Sequence, residues 1–427
     1  MHDFLGVLCD NFADFAVKSF LLSRMNILVL NSGSSSQKTA LFELGPDPTP
    51  DPIPPLWEGK LDWERSKEVL TVKNSAGKKI HTERESGTDG REASVEKLLQ
   101  DVWTGPTAVL SNASEIRAIG HRVVHGGPNL TQPTVITPEV RQAIADVSSI
   151  APLHNQAGLQ GIDLATKLFP SIPQVAVFDT GFHRTLPLEA KVYAGPYAWY
   201  EAGIRRYGFH GINHEYCANR AAQMLKRDVN SLKIITCHLG NGCSLAAIDG
   251  GKSVDTTMGF TPLEGLMMGT RSGSIDPGIL THLVRSGAAR AEDLDGILNR
   301  QSGLLGVSGV SSDMRDIVEA MHNGNERAQL AFEIFIHRLC ACIGSMAASL
   351  GGLDVLVFTA GIGENSADVR RAACARLVFL GIAIDEGRNS SSKPDVNISR
   401  GDSGIQVLVV SAQEDWAIAR ECLGLLA

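Results

Sequence analysis

The 427-residue sequence has no excess of positive charge: 39 Lys and Arg stand against 47 Asp and Glu, a formal net charge of −8. Without a general basic surface the chain cannot displace counterions along a phosphate backbone, so nucleic-acid binding is not expected and any anionic ligand must be held by a local site. Paired cysteines are missing as well. The eight cysteines, Cys9, Cys217, Cys237, Cys243, Cys340, Cys342, Cys374 and Cys422, form no CxxC and sit mostly in apolar surroundings. They read as buried reduced thiols of a cytoplasmic protein, not as a zinc site. No apolar run is expected to reach membrane-spanning length, and no membrane partner follows. The first 24 residues carry three aspartates and lack the basic start, long apolar stretch and small-residue cleavage site of a secretory signal. They read as a loosely ordered extension ahead of a domain that starts near Met25.

What is present is a chain longer than one core usually holds, with 43 glycines and 43% hydrophobic residues, hence two domains and many tight loops. The most unusual stretch is Asp255 to Gly278, DTTMGFTPLEGLMMGTRSGSIDPG. Its apolar residues keep neither a strand nor a helix period, and five glycines interrupt them. Such a stretch reads either as an ordered loop over a core or as the floor of an active site with one cation, Arg271, in it.

Two other places share a device. Ile27–Leu30 is a buried strand, Asn31–Ser36 a small hydroxylated turn and Lys38–Glu43 a returning strand; Lys233–His238, the loop Leu239–Gly242 and Cys243–Ile248 repeat the order. Exposed N–H and hydroxyl groups at such tips suit phosphate oxygens, although an ordinary Ser/Gly turn looks the same. The echo suggests two related domains facing one another across a ligand. Between them, Leu56–Trp63, Glu68–Lys73 and Lys79–Glu83 continue a sheet, Arg91–Trp103 reads as helix, and Ile116–Val124 as a strand ending in His125. Pro138–Ser148 and Gln156–Leu168 read as helices. Gln174–Phe178 is a buried strand that delivers Asp179 at its carboxyl end, where α/β sheets place chemistry. His121 and His125 have metal-compatible spacing, but the residues between them read as strand. Near the end, Asp354–Thr359 is a buried strand and Gly361–Asn365 a glycine turn opening a helix near Ser366, which suits an anion or a plain connection.

Together these segments resemble the acetate kinase family. The resemblance runs from about Met25 to about Arg420 and rests on NSGSSSQK at 31–38, GHRVVHGG at 120–127, APLHN at 151–155, VFDTGFH at 177–183 and RYGFHG at 206–211. It continues with HLGNG at 238–242, MGFTPLEGLMMGTRSGSIDPG at 258–278, SGLLGVSGVSSDMRD at 302–316 and TAGIGEN at 359–365. Departures are few: Gln37 replaces a usually apolar residue, Ile212-Asn213 replaces Thr-Ser, and Asp415 replaces the second Glu of a common pair.

The resemblance implies an α/β, two-domain fold of the actin, hexokinase and Hsp70 kind (ribonuclease H-like), with a nucleotide cleft between duplicated domains. Residues 25–179 with 415–427 would form one domain and 180–414 the other. It implies reversible transfer of the γ-phosphoryl of ATP to acetate, with Mg²⁺, or Mn²⁺ in its place, giving acetyl phosphate and ADP. Asp179, His210, Arg271 and Arg122 would be catalytic; Arg122, Val124, Leu153, Phe209 and Pro262 would hold the acid. Lys38, the loop His238, Leu239, Gly240, Asn241 and Gly242, the trio Asp313, Met314 and Arg315, and the turn Gly361, Ile362, Gly363, Glu364 and Asn365 would bind nucleotide. Asn31 and Glu414 would contact the metal, and the family implies a homodimer. A propionate or other short-chain acyl kinase is the near alternative. A silent actin- or Hsp70-like switch is the remote one, and it would not need Arg122, Arg271 and His210 together. Because residues 1–24 lie outside every motif, their deletion should leave turnover intact. A truncated protein that loses most of its kcat would overturn that expectation.

Overall fold

A computed structural model describes residues 24–427 except 34, 35, 48, 50, 65, 66, 86–89, 150, 151 and 392. The chain divides into two compact units: residues up to Phe178 together with Gln413–Ala427, and Asp179–Ala412.

The first unit is built on an eight-stranded sheet of order β5-β4-β3-β2-β1-β6-β8-β7. Its centre is β1 (Met25–Ser32), whose Ile27, Leu28, Val29 and Leu30 are fully buried. A strand covered on both faces needs such an unbroken apolar run. β2 (Ser36–Leu44), β3 (Trp57–Glu64), β4 (Lys67–Asn74) and β5 (Lys79–Glu85) form an antiparallel meander on one side. On the other side β6 (Ile116–Val123) and β8 (Gln174–Phe178) run parallel to β1, and the short β7 (Thr134–Val135) closes the edge.

The second unit carries a six-stranded sheet of order β11-β10-β9-β12-β14-β13. β9 (Lys233–Leu239), β10 (Cys243–Asp249) and β11 (Lys252–Thr256) are antiparallel, and β12 (Val355–Thr359) and β14 (Gln406–Val409) run parallel to β9. β13 (Val396–Asn397) pairs with β14 at the edge. Taken from β3 to β8 and from β11 to β14, the two sheets have the same sense: an antiparallel hairpin whose first strand starts a parallel row. The repeated strand-loop-strand device in the sequence is therefore a repeated topology.

Several boundaries differ from the sequence reading for local reasons. The helix expected over Arg91–Trp103 spans Gly90–Gln100, after which the chain turns. The helix expected from Gln156 starts at Pro152, because a proline has the φ of a first helical turn and no N–H to lose there. Ala360–Asn365 is itself a short helix, not a turn before one. The expectation of no membrane-length apolar segment is also corrected. The helix Glu326–Leu350 is long and apolar enough by length and composition. It buries a stripe including Phe332, Phe335, Ile336, Leu339, Ile343 and Met346 at helical spacing, and it packs on β9, β10 and β11. A buried stripe of this kind is what a helix with one face on a protein core shows.

The last helix, Glu414–Leu426, returns to the first sheet, burying Trp416, Ile418, Ala419, Cys422 and Leu423. Its close approach depends on Gly120 in β6: a Cβ there would stand 2.6 Å from Ile418 Cγ2 and 2.7 Å from Cys422 Sγ. Gly120→Ala should therefore push this helix off the sheet and destabilise the fold by about 1–3 kcal/mol, the usual cost of overpacking. Thermal unfolding checks this, and an unchanged midpoint would mean that the contact yields without strain.

Candidate active site

In the first unit, β1 and β6 run parallel and carry polar residues at their carboxyl ends, opposite the start of the last helix. Asn31 ends β1 and Arg122 lies near the end of β6. Arg122 Nη1 donates to Asn31 Oδ1 at 3.1 Å and lies 3.6 Å from Glu414 Oε2. The Asn31 amide donates in turn to Glu414 Oε2 at 3.2 Å and to Asp415 Oδ1 at 3.1 Å. Asn31 thus faces the guanidinium with its oxygen and both carboxylates with its nitrogen, which fixes how the amide is turned. Asp415 is half-buried; desolvation pushes its carboxyl up, while the Asn31 hydrogen bond and the Lys38 charge oppose the shift. Lys38 is exposed and pairs with Asn31 across the β1–β2 ladder.

The carboxylate and amide oxygens of Glu414 and Asn31 are hard donors of the type Mg²⁺ prefers. With one or two protein ligands, Mg²⁺ keeps the rest of its shell as water and phosphate. Glu414 offers such an oxygen, while the Asn31 oxygen as turned already accepts from Arg122 and its nitrogen faces Glu414. Among the described residues no group of three or more His, Cys, Asp or Glu forms a protein cage for a metal. His121 instead meets the Gln174 Oε1 at 2.7 Å inside the sheet, where burial drops it to about 4 and keeps it neutral.

Beyond β6, Val124 is buried. The backbone after it is clamped by Asn155, whose Oδ1 accepts from His125 N–H at 3.0 Å and whose Nδ2 donates to His125 O at 2.9 Å. Asn155, fully buried, is a positioning residue that the motif APLHN contains and whose role sequence reasoning missed. The side chain of Leu153, in the same motif, lies outside the described residues.

The second unit brings together His210, His238, Arg271, Phe209 and the loop Gly240–Gly242. His210 caps the helix Gly211–Leu225 in the left-handed region, at φ 57°. Backbone bonds hold it on either side. The Phe209 carbonyl accepts from His183 Nε2 at 3.1 Å, and Gly211 N–H donates to the carbonyl of Asp179 at 2.8 Å. The His210 ring stacks on His238 with centroids 4.0 Å apart and planes 11° apart, and its Nδ1 meets Ser244 Oγ at 2.9 Å. His238 accepts at Nδ1 from Asn213 Nδ2 at 2.8 Å. Asp179 and Phe209 are each 1% exposed.

Arg271 reaches the same place from the loop that the sequence singled out, which contains neither helix nor strand from Thr257 to Asp276. Its Nη1 donates to the Pro262 carbonyl at 3.0 Å, and burial is the main influence on it, drawing the guanidinium below its usual pKa. A Cβ built on Gly242 would lie 3.4 Å from Arg271 Nη1 and 3.5 Å from His210 Nε2. The cation and the imidazole therefore converge above one glycine. The loop is in turn set by Arg206, which sequence reasoning also passed over. Its Nη1 donates to the carbonyls of Thr256, Thr257 and Met258 at 3.0, 3.1 and 3.0 Å, and its Nη2 donates to Glu264 Oε1 at 2.7 Å.

The remaining residues expected at the nucleotide divide. Met314 is buried, while Asp313 and Arg315 form an exposed pair at 2.6 Å. Glu364 turns its carboxylate onto the backbone N–H of Ala412 at 2.9 Å, and Asn365 donates to Gly361 O within its own helix. Gly361 is exposed and Gly363 buried, with Ile362 between these extremes. The carbonyls of Gly363 and Glu364 are held by Arg370, buried among them, at 2.8 Å each. At this end the chain offers mainly backbone.

The sequence model of the acetokinase family matches residues 26–420. The chain belongs to the acetokinase family. An acetate kinase from Cyanothece sp. is 56% identical over 94% of this chain and 98% of its own, and one from Nostoc sp. is 56% identical over 94% and 100%. Among solved structures, Porphyromonas gingivalis acetate kinase matches with a TM-score of 0.85 and 40% identity, over 94% of this chain and all of that one. A propionate kinase from Francisella tularensis matches with 0.84 and 38%, over 94% and 99%. The α/β, two-unit acetokinase fold read from the motifs is thus the fold of the molecule.

Proposed function

We propose that this acetokinase-family protein transfers the γ-phosphoryl of ATP to acetate, reversibly, giving acetyl phosphate and ADP in a cytoplasmic homodimer. The observation that carries the reading is the convergence of Arg271 and His210 above Gly242, each held by fixed partners. The names of the relatives support the substrate. In the transfer, an acetate oxygen forms a bond to the γ-phosphorus while the bond to the bridging oxygen of ADP breaks. Acetate is already ionised at neutral pH, so no general base is needed, and catalysis reduces to positioning and charge neutralisation.

Arg271 and Arg122 are assigned to the carboxylate and the equatorial phosphoryl oxygens, because a planar guanidinium can hold either bidentately. His210 donates from Nε2 to the migrating group, and Asp179 is assigned the essential acidic role. Asn31 and Glu414 would hold the metal; when bound, Mg²⁺, or Mn²⁺ in its place, neutralises charge on the phosphates. Val124, Leu153, Phe209 and Pro262 would line the acyl slot. Lys38, the loop His238–Gly242, the trio Asp313–Arg315 and the backbone of Gly361–Asn365 would take the nucleotide. Residues 25–179 with 415–427 act as one domain and 180–414 as the other in this reading. The free, mostly buried cysteines among the described residues support a reducing compartment. The homodimer is supported by the exposed apolar side chains Leu188, Tyr197, Trp199, Ile279 and Val284, each 41–59% exposed. Trp199→Arg with Ile279→Arg should shift sedimentation to the monomer, and an unmoved boundary would remove these side chains from the assignment.

Trapping acyl phosphate with hydroxylamine tests the activity. One added methylene in a fitted slot costs roughly 1–3 kcal/mol, so acetate should exceed propionate and butyrate should be far weaker, with Val124→Ala narrowing the gap. Arg271→Lys keeps the charge but loses the fork. It should lower kcat by about a hundredfold or more while the KM for ATP changes little, as for a group acting in the transition state. Equal kcat/KM for acetate and butyrate would defeat the substrate assignment, and near-normal kcat in Arg271→Lys would defeat that of the arginine.

A further inference from the structure

We propose that Thr236, His214 and Ser244 form a one-way hydrogen-bond chain that holds His210 in the tautomer carrying its proton on Nε2, so that the ring always presents a donor above Gly242. The inference rests on the reading of His210 as donor to the phosphoryl group and deepens it.

The chain is continuous. Thr236 Oγ1 lies 2.7 Å from His214 Nδ1, His214 Nε2 lies 2.8 Å from Ser244 Oγ, and Ser244 Oγ lies 2.9 Å from His210 Nδ1. Thr236, His214 and Ser244 are each fully buried. Its direction follows from proton counting. Among the described residues the Thr236 hydroxyl has one side-chain partner, the His214 Nδ1. If His214 donated from Nδ1, the threonine proton would be buried without an acceptor, the costly arrangement; if threonine donates, every proton in the chain is used. His214 is kept neutral by burial first and then by His183 and His238 beside it, so it has a single ring proton, and that proton sits on Nε2. His214 then donates to Ser244 Oγ, and the one serine proton goes to His210 Nδ1. What remains to His210 is an Nε2–H, and Nε2 is the atom that lies beside Arg271 over Gly242.

The neighbouring histidines obey the same rule. His238, stacked on His210, accepts at Nδ1 from the Asn213 amide, whose Oδ1 in turn takes the Cys217 thiol at 3.6 Å. His183 donates from Nε2 to the Phe209 carbonyl and meets Ser253 Oγ with Nδ1 at 2.8 Å. Where an acceptor or amide donor fixes the sense, each ring is an Nε2–H tautomer. Thr236, His214 and Ser244 touch no reacting atom in this arrangement; they are positioning residues.

Ring-nitrogen NMR of the full-length enzyme, labelled in histidine and assigned with His210→Gln, tests the chain without any substrate. The expected spectrum has His210 protonated on Nε2 and unprotonated on Nδ1. A proton on Nδ1 of His210 would overturn the proposal even if His210→Gln proves inactive, so the tautomer claim and the catalytic reading fail separately. Ser244→Ala should let the two His210 tautomers mix and cut kcat by about ten- to a hundredfold with KM for acetate and ATP nearly unchanged. Thr236→Val, which keeps the shape and loses the donor, should show a smaller change of the same kind, and Thr236→Ser should recover most of what Thr236→Val loses. Unchanged tautomers in both Ser244→Ala and Thr236→Val would likewise overturn it, whereas mixing of tautomers with no change in kcat would support the chain and overturn the reading of His210 as donor.

Discussion

The loop that presents Arg271 has no regular secondary structure to hold it, and the burial of one guanidinium takes that place. Arg206 gathers the carbonyls of Thr256, Thr257 and Met258, which otherwise would leave the end of β11 with acceptors facing one another and no donor between them. Its second nitrogen takes Glu264, and Glu264 takes the Tyr193 hydroxyl, which also accepts from Phe260 N–H. This closes the first half of the loop into a ring of bonds. There is no room for a side chain inside it, since a Cβ on Gly259 would collide with both Glu264 and Tyr193. The second half follows from the first: Gly265 and Gly273 take positive φ, and Ser274 N–H returns to the Gly265 carbonyl at 3.0 Å. Arg206 is charged at any working pH and joins three carbonyls on one nitrogen to a carboxylate on the other, a spread that the single nitrogen of lysine could not match.

The same economy explains the histidines of the second unit. Four imidazoles lie close together in a largely dry region, which would be unstable if they competed for protons. Burial depresses His183 to about 4 and His214 well below the usual imidazole range, so both enter the core neutral and act as hydrogen-bond parts, not charges. The half-buried His210 is the most exposed of the four. Its strained left-handed backbone is paid for by bonds on either side, from His183 to the residue before and from Gly211 to Asp179. Strain of this kind persists where surrounding contacts over-determine it.

Much of this was legible in the residues. The strands of the two strand-loop-strand devices, the buried strands that lead to Asp179 and Thr359, and the aperiodic loop with Arg271 appear as read, because each depends on local chemistry: period, glycine, proline; Ser34 and Ser35 of the first turn lie outside the described residues. What could not be read were partners far apart in the chain. Arg206 lies dozens of residues from the loop it organises, and Ser244 and Thr236 look like ordinary strand residues until β9 and β10 bring them under His210. Asp415 stands next to a residue singled out for the metal, yet nothing in a single sequence says that Asn31 would meet both acids. Conversely, Glu364 and Asn365 drew attention through their motif, while the fold commits the Glu364 carboxylate to Ala412 and the Asn365 amide to Gly361. A motif marks a place in the fold, and the hydrogen bonds decide which atoms at that place are available.

Arg122 and Arg271, one in each unit, are held by different means, and the difference bears on the role proposed for each. Arg122 sits against Asn31 and near Glu414, so its charge is partly matched before any ligand arrives. Arg271 is bound through the carbonyl of Pro262, a neutral acceptor, and burial weighs against its charge. A dry setting strengthens the attraction of a guanidinium for charge that accumulates on a phosphoryl in transit. In the proposed transfer, the pairing with Asn31 and Glu414 suits Arg122 to orienting a ligand that is anionic throughout, and burial suits Arg271 to the moment at which charge is greatest.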